Sequence, residues 1–336
     1  MKLFATRFGG IAAACLAFAG SAHAQSLDLS HYEVSFAKAI PSVPEAGAIT
    51  YNWDRNSLMI IGDEGQADEY ALDGKIYPGV SDYLGGSYFD DPEGITYIGG
   101  GRYVIAQERN TRIAAVGTAV LSESDGLTRY YFLPPDAAHT YTVSGGANWS
   151  NQGLEGISYD PITGGFFGVK ENNPQGVFFI SKDFDVANSP GTTTPLFDPA
   201  LLGLNTISDI KTLSTVNAFK GTDFVENLLI LSATSKMLLE VTRSGQIVSS
   251  FDLSAILGET GFTVSTIEGV TFDNDGNIYL AAELGSGPRG GDATLIALKR
   301  VVAPAVPEPA SWAMMVGGFA IAGGAMRRRV RAVTFA

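Results

Sequence analysis

Cysteine is almost missing from this chain. Among its 336 residues the one cysteine, Cys15, lies in an N-terminal apolar run. Once that run is removed the protein has no thiol, which excludes disulfides, thiolate metal sites and a cysteine nucleophile. Histidine is nearly as scarce: His31 and His139 are the two beyond the leader. That disfavours zinc and iron centres built on imidazole. Neither histidine accompanies a Gly-x-Ser-x-Gly, so a hydrolase triad has no support. There is no Walker loop, and no dinucleotide fingerprint running from a strand into a helix. Helical periodicity never persists beyond two turns, which argues against a helical architecture. Positive charge is short as well, with 22 basic against 35 acidic residues and a formal charge of −13. The balance becomes more negative when Lys2, Arg7, the four terminal arginines and Glu308 are set aside with the two chain ends. Such a body is a poor partner for nucleic acid or an anionic membrane, and a suitable one for cations.

Both ends read as addresses rather than as fold. Lys2 and Arg7 form a basic leader, Ile11 to Ala19 an apolar core, and Ala22-His23-Ala24 a small-x-small cleavage site. Residues 1–24 are therefore expected to be a signal peptide, with Gln25 opening the mature protein. In residues 303–336, a linker leads to Val306-Pro307-Glu308-Pro309. An apolar stretch from Ala310 to Met326 and a cluster at Arg327, Arg328, Arg329 and Arg331 follow. The apolar stretch is short against the ~20 residues a spanning helix needs, and the arginines would stay on the cytoplasmic side. This order resembles the PEP-CTERM sorting signal of Gram-negative bacteria. The resemblance implies processing by an exosortase and a short transmembrane helix held transiently in the inner membrane. The body is then expected in the periplasm and finally at the cell surface or in extracellular matrix.

What the chain has in quantity is one repeated phrase. Glu93-Gly94-Ile95-Thr96-Tyr97 returns as Glu155-Gly156-Ile157-Ser158-Tyr159 and as Glu268-Gly269-Val270-Thr271-Phe272. Each is followed by a second apolar run that closes on an acid: Glu108, Glu171 or Glu283. Two weaker copies complete the series, at Gly47-Ala48-Ile49-Thr50-Tyr51 and Ser208-Asp209-Ile210. With turn-rich segments between them, the five units predict an all-β β-propeller over residues 25–302, built of five four-stranded blades with six as the alternative. The fourth unit shows its strands best, at Ile207–Leu213, Leu228–Ala233, Met237–Thr242 and Ile247–Leu253, the last two joined by the Arg243–Gln246 turn. Unit five lacks a fourth strand. The run from Tyr32 to Lys38 can supply it, closing the ring by pairing the N- and C-terminal strands and removing an exposed edge. Long insertions are expected at Ser122–Gln152, around Asn188–Asn205, and at Ser286–Asp292.

Blade geometry gives the acids a common address. The innermost strand starts on one face and the second strand returns to it. Glu93, Glu155 and Glu268, with Asp63, Glu64, Glu108, Glu171 and Glu283, are thus expected at one mouth of the central channel. Like charges this close raise one another's pKa unless cations intervene. Arg109, Arg112, Lys170 and Arg289 are available. Two readings stay open. One is a hard divalent cation such as calcium, which takes six to eight oxygen ligands. The other is a structural role in which each glutamate caps its own blade. Asp273-Asn274-Asp275-Gly276-Asn277 has the opening of an EF-hand loop but no glutamate at the twelfth position, so it reads as a β-turn.

The repeats, with Arg102–Arg109, Gly153–Asp160 and Val169-Lys170-Glu171-Asn172-Asn173-Pro174, resemble the SdiA-regulated (YjiK-like) family over residues 31 to 300. That resemblance implies a periplasmic or surface propeller linked to calcium, with no catalytic residues to assign. The ion-facing positions it implies are Glu93, Glu108, Glu155, Glu171, Glu268 and Glu283. Gly47, Ser208 and Ser232 depart from the pattern, so the expected site is off-centre. The expected function is a calcium-binding or interaction module at the cell surface. Exopolysaccharide or a phosphorylated small molecule is a candidate partner. The alternative is a calcium-dependent phosphoesterase, because Asp90-Asp91-Pro92-Glu93 and the Glu-Gly-Ile phrases also resemble phytase-like and esterase-like propellers.

Overall fold

The computed structural model describes residues 26–83, 91–124, 127–143, 149, 153–257, 264–284, 293–301 and 314–323. Ala24–Val301 form one compact unit, and the two chain ends belong to another. In that second unit residues 314–323 are helical. At 1.5 Å per residue ten residues rise about 15 Å, half of a ~30 Å hydrocarbon core. No helix among the described residues is long and apolar enough to cross a membrane, so the short transmembrane helix expected here is not borne out over the part described. The signal peptide, the Pro-Glu-Pro and the arginine cluster lie outside the described residues.

The main unit is a β-propeller of five four-stranded antiparallel blades, not six. The chain begins with β1 (Tyr32–Ala39), which waits for the last blade. Blade one is β2 (Ala46–Asn52), β3 (Ser57–Gly62), β4 (Gln66–Ala71) and β5 (Ile76–Tyr83). Blade two is β6 (Pro92–Gly99), β7 (Arg102–Gln107), β8 (Arg112–Ser124) and β9 (Leu127–Phe132), with a short β10 (Thr140–Thr142) also paired to β8. Blade three is β11 (Leu154–Asp160), β12 (Gly165–Lys170), β13 (Gly176–Lys182) and β14 (Gly191–Pro195). Blade four is β15 (Asp209–Thr212), β16 (Leu228–Ser232), β17 (Met237–Val241) and β18 (Ile247–Asp252). Blade five is β19 (Val264–Phe272), β20 (Ile278–Leu284) and β21 (Thr294–Arg300), completed by β1. The closure runs from Tyr32 opposite Arg300 to Ala39 opposite Thr294.

Blade four matches its expected strands to within two residues. The expected insertions fare differently. The span from Ser122 to Gln152 contains β9, the outer strand of blade two, and the span around Asn188–Asn205 contains β14. Strand β14 is polar, Gly-Thr-Thr-Thr-Pro, and largely meets water, whereas β9 carries Tyr130, Tyr131 and Phe132 but is closely followed by Pro134-Pro135, which reads as loop. Strand β9 also makes a parallel bridge to β5 at Tyr130 and Val80, stitching blades one and two into one sheet. The Ser286–Asp292 insertion lies outside the described residues. The Asp273 turn is an Asx turn, its Oδ1 accepting from the amides of Asp275 and Asn277, both at 2.9 Å.

Five buried apolar clusters hold the ring together, one at each junction between neighbouring blades. The residue after the repeat's glycine position, which is Ala48 in blade one and Asp209 in blade four, supplies each in turn: Ile49 between blades five and one, Ile95 between one and two, Ile157 between two and three. Ile210 serves between three and four, and Val270 between four and five. All five are fully buried, each contributing roughly 1.5–3 kcal/mol by leaving water. The next residue alternates to the opposite side, as strand pleating requires. Its hydroxyl accepts a backbone amide of the following blade: Thr50 from Tyr97 N at 3.1 Å, Thr96 from Tyr159 N at 2.9 Å, Ser158 from Thr212 N at 2.9 Å, Thr271 from Tyr51 N at 3.2 Å.

Candidate functional site

The glycine of the repeat marks where adjacent inner strands come closest. A Cβ on Gly94 would lie 2.4 Å from the Glu155 carbonyl oxygen, and one on Gly156 would lie 2.6 Å from Asp209 Cα. The glutamate before it stands at a break in pairing. Inner strands β2, β6, β11 and β19 each carry a register shift at Gly47, Glu93, Glu155–Gly156 or Glu268. A bulge of this kind re-aims a side chain. Here it turns the glutamates away from the apolar junctions and toward the channel mouth.

There the carboxylates meet those that close the second strands. One oxygen from each of Asp91, Glu93 and Glu108 lies within 4.8 Å of the others. Burial, then the like charges of Asp63, Asp91, Glu108 and Glu268, hold Glu93 well above the ordinary carboxylate range. Burial, then Glu93, Glu108, Glu171 and Glu268, does the same to Glu155. Glu108 is pushed up to about 7 by burial and by its hydrogen bond with Asp91. Glu268 reaches about 7 through burial and Glu283. Asp63 reaches about 8 through burial, then Glu283 and Asp91. Glu171 is raised by burial, which Lys170 partly offsets. It accepts from Asn172 Nδ2 at 2.7 Å, as Glu283 accepts from Thr266 Oγ1 at 2.7 Å.

All six expected glutamates therefore share one electrostatic neighbourhood, but only Glu93 and Glu108 enter the close cluster. Its third member, Asp91, was not among the expected ligands. It precedes the strand in a left-handed conformation (φ 60°), with Glu108 N bound to its carbonyl at 2.9 Å. Of the two acids expected from unit one, Asp63 joins the mouth and Glu64 is exposed. Among the expected cations, Arg109 Nε sits 2.9 Å from Asp91 Oδ2, whereas Arg112 turns to Gln107 Oε1. Lys170 donates to the carbonyls of Asn172 and Pro174, and Arg289 lies outside the described residues.

Two observations bear on whether a cation fits. Asp63 Oδ1 is buried with no hydrogen-bond partner, which costs free energy unless something pairs it. A Cβ on Gly47 would stand 2.6 Å from that oxygen and 3.0 Å from Glu93 Oε2. Glycine replaces the repeat's glutamate in blade one because two other carboxylates occupy its place. The donors are all oxygens, the set a hard divalent cation takes. The residues present fit such an ion: Asp91, Glu93 and Glu108 would hold it, with Asp63 beside them.

Blade four enters the channel differently. Asp209 stands at the glycine position and Lys211 at the hydroxyl position. Lys211 Nζ donates across the channel to Ile95 O at 3.0 Å and Ile157 O at 3.2 Å. Asp209 Oδ2 accepts from Val270 N at 2.8 Å and lies 3.9 Å from Lys211 Nζ. Both side chains are buried. Burial raises Asp209 to about 6 and lowers Lys211, while their mutual attraction opposes both shifts. Asp209 and Lys211 lie one and three residues beyond the glutamate position, about 3 and 10 Å along the strand, and bridge the inner strands beneath the acids.

A family model described as SdiA-regulated matches residues 24–285. The chain belongs to the SdiA-regulated family. Solved structures similar to this SdiA-regulated propeller include the glutaminyl cyclase of Myxococcus xanthus, at 12% identity. That match covers 81% of this chain and 97% of the other, with a TM-score of 0.46. A luciferin-regenerating enzyme matches at 11%, 77%, 94% and 0.45 in the same order. A gluconolactonase of Xanthomonas campestris matches at 10%, 78%, 89% and 0.42. At these values none of their activities transfers to this chain.

Proposed function

We propose that this propeller is an exported calcium-binding module that works at the cell surface or in extracellular matrix, with the ion held off-centre at the acidic mouth. The observation that carries the reading is the cluster of Asp91, Glu93 and Glu108 within 4.8 Å, beside the unpartnered Asp63 oxygen. Carboxylates gathered in a buried site favour either protons or a metal ion, and calcium suits an all-oxygen, loosely shaped donor set. Export rests on the leader in residues 1–24 and the sorting signal in residues 303–336, which make the inner membrane and an exosortase transient partners.

The test is calorimetric titration of calcium into chelator-stripped protein, with the melting temperature followed in parallel. Binding heat and a higher Tm are expected, with affinity suited to an extracellular module (roughly 10⁻⁴–10⁻³ M) or tighter. Absence of both at millimolar calcium would overturn the reading. Calcium-dependent release of phosphate from phytate would replace the module with a phosphoesterase.

A further inference from the structure

Beside the mouth, on the outer part of blade three, lies a groove of about 500 Å³, within the roughly 300–1,000 Å³ typical of small-molecule sites. Its wall is aromatic. Trp149 stacks on Phe178 with ring centroids 5.6 Å apart and planes 19° from parallel, and Phe197 lines the groove as well. Glycine at 176 makes this possible, since a Cβ there would stand 2.3 Å from the Phe178 ring. The rim is polar and uncharged: Asn173 and Gln175. Asn173 Nδ2 donates to Asn172 Oδ1, and Gln175 Nε2 to Leu204 O. Each amide can make up to four hydrogen bonds, so both keep capacity for a ligand. The one charged lining residue, Lys170, is already held by the carbonyls of Asn172 and Pro174.

We infer that this groove is a saccharide site that takes a neutral pyranose ring against Trp149, with Asn173 and Gln175 bonding its hydroxyls. An anionic ligand is disfavoured by Glu171 and Glu155 next door, which already offset the ammonium of Lys170. A purely apolar ligand would leave the rim amides unused. A pyranose chair, with apolar C–H faces and hydroxyl edges, matches both surfaces at once. Nothing in this site calls on the mouth carboxylates, so the inference does not depend on the calcium reading.

The experiment presents the full chain with cellohexaose, maltohexaose and N-acetylchitohexaose, followed by tryptophan fluorescence and by affinity electrophoresis. Saturable binding of at least one is expected, unchanged by chelator. Trp149→Ala should weaken it about tenfold or more, the scale of one lost aromatic contact, while Trp149→Phe retains part. Asn173→Gly, which removes the amide while tolerating the left-handed backbone at that position (φ 45°), should weaken it severalfold with little change in melting temperature. Binding of none of the three, binding that survives in Trp149→Ala, or capture of a proline-rich peptide instead would each overturn the saccharide assignment. Saccharide binding lost with calcium would move the ligand to the mouth and overturn it too.

Discussion

Blades two, three and five meet the channel with glutamates turned up toward its mouth, whereas blade four meets it with an aspartate and a lysine laid across its interior. The two solutions use adjacent positions of one repeat. In blades two, three and five the glycine admits the neighbouring strand, blade one has the small Ala48 there, and in all four the hydroxyl ties to the next blade. In blade four Asp209 and Lys211 take those places, and the junction to blade five is tied by Asp209 to Val270 N instead of by a hydroxyl. The ring therefore keeps a polar bond at all five junctions. What it gains is a buried ion pair whose lysine also bonds blades two and three. One region gathers like charges at an opening, where an outside ion can neutralise them. The other carries its own counter-charge inside. The first is suited to a ligand and the second to holding the ring.

The largest effect should come from breaking the buried pair. Lys211→Met leaves Asp209 buried beside no cation and leaves the carbonyls of Ile95 and Ile157 without their donor. Removing one partner of a buried pair costs about 3–5 kcal/mol, which urea unfolding would read directly. Adding Asp209→Asn to the same chain should recover part of it. Calcium binding should survive in whatever fraction remains folded. If Lys211→Met instead abolished calcium heat with little loss of stability, the division between a holding blade and a binding mouth would be wrong.

How much of this was open to reading differs between the same two regions. The Ile-Thr alternation of the repeat announces strand faces, and the paired Glu93/Glu108, Glu155/Glu171 and Glu268/Glu283 spacing announces a shared mouth. Both follow from pleat period and blade topology. Asp91 was visible only within the Asp90-Asp91-Pro92-Glu93 phrase and not as a member of the mouth, because it joins the cluster from outside the strand, through a left-handed turn that side-chain periodicity does not report. Asp209 and Lys211 were hidden because a repeat comparison registers them as a lost glutamate at Ser208. It does not register a gained ion pair one and three residues on. Strand β14 was hidden by composition, since a strand on the outer edge of a blade needs few apolar residues and this one reads Gly-Thr-Thr-Thr-Pro.

A second effect, intermediate in size, concerns protons at the mouth. Asp63 at about 8 and Glu108 and Glu268 at about 7 lie above unfolded carboxyls, near 4. Between those values the folded protein holds protons that the unfolded chain has released, so stability falls as pH rises. The calcium-free protein should melt highest near pH 5 and progressively lower up to about pH 8. Calcium binds the ionised form, so it should reverse the loss most fully at the alkaline end. At a concentration one hundred times its Kd it adds about 2.7 kcal/mol. Glu93→Gln removes a like charge from the cluster. It should flatten the pH slope of the calcium-free protein while forfeiting most of the calcium gain. A melting temperature independent of pH from 5 to 8 would show that the acids do not share one electrostatic site.

The smallest effect falls where the two regions touch. Ser208 holds the glutamate position in blade four. Its hydroxyl accepts from Ala233 N at 3.2 Å and hydrogen-bonds Glu268, lowering that carboxyl against the rise caused by burial and Glu283. Ser208→Ala should cost about 0.5–1.5 kcal/mol, the net worth of an ordinary hydrogen bond. It should also move the Glu268 titration further up, which carboxyl carbon shifts in NMR would follow. Calcium affinity should change far less than in Glu93→Gln, because Glu268 lies outside the close cluster of Asp91, Glu93 and Glu108. Were Ser208→Ala to lose calcium as completely as Glu93→Gln, the ion would have to sit between blades four and five. The off-centre assignment to blades one and two would then fall.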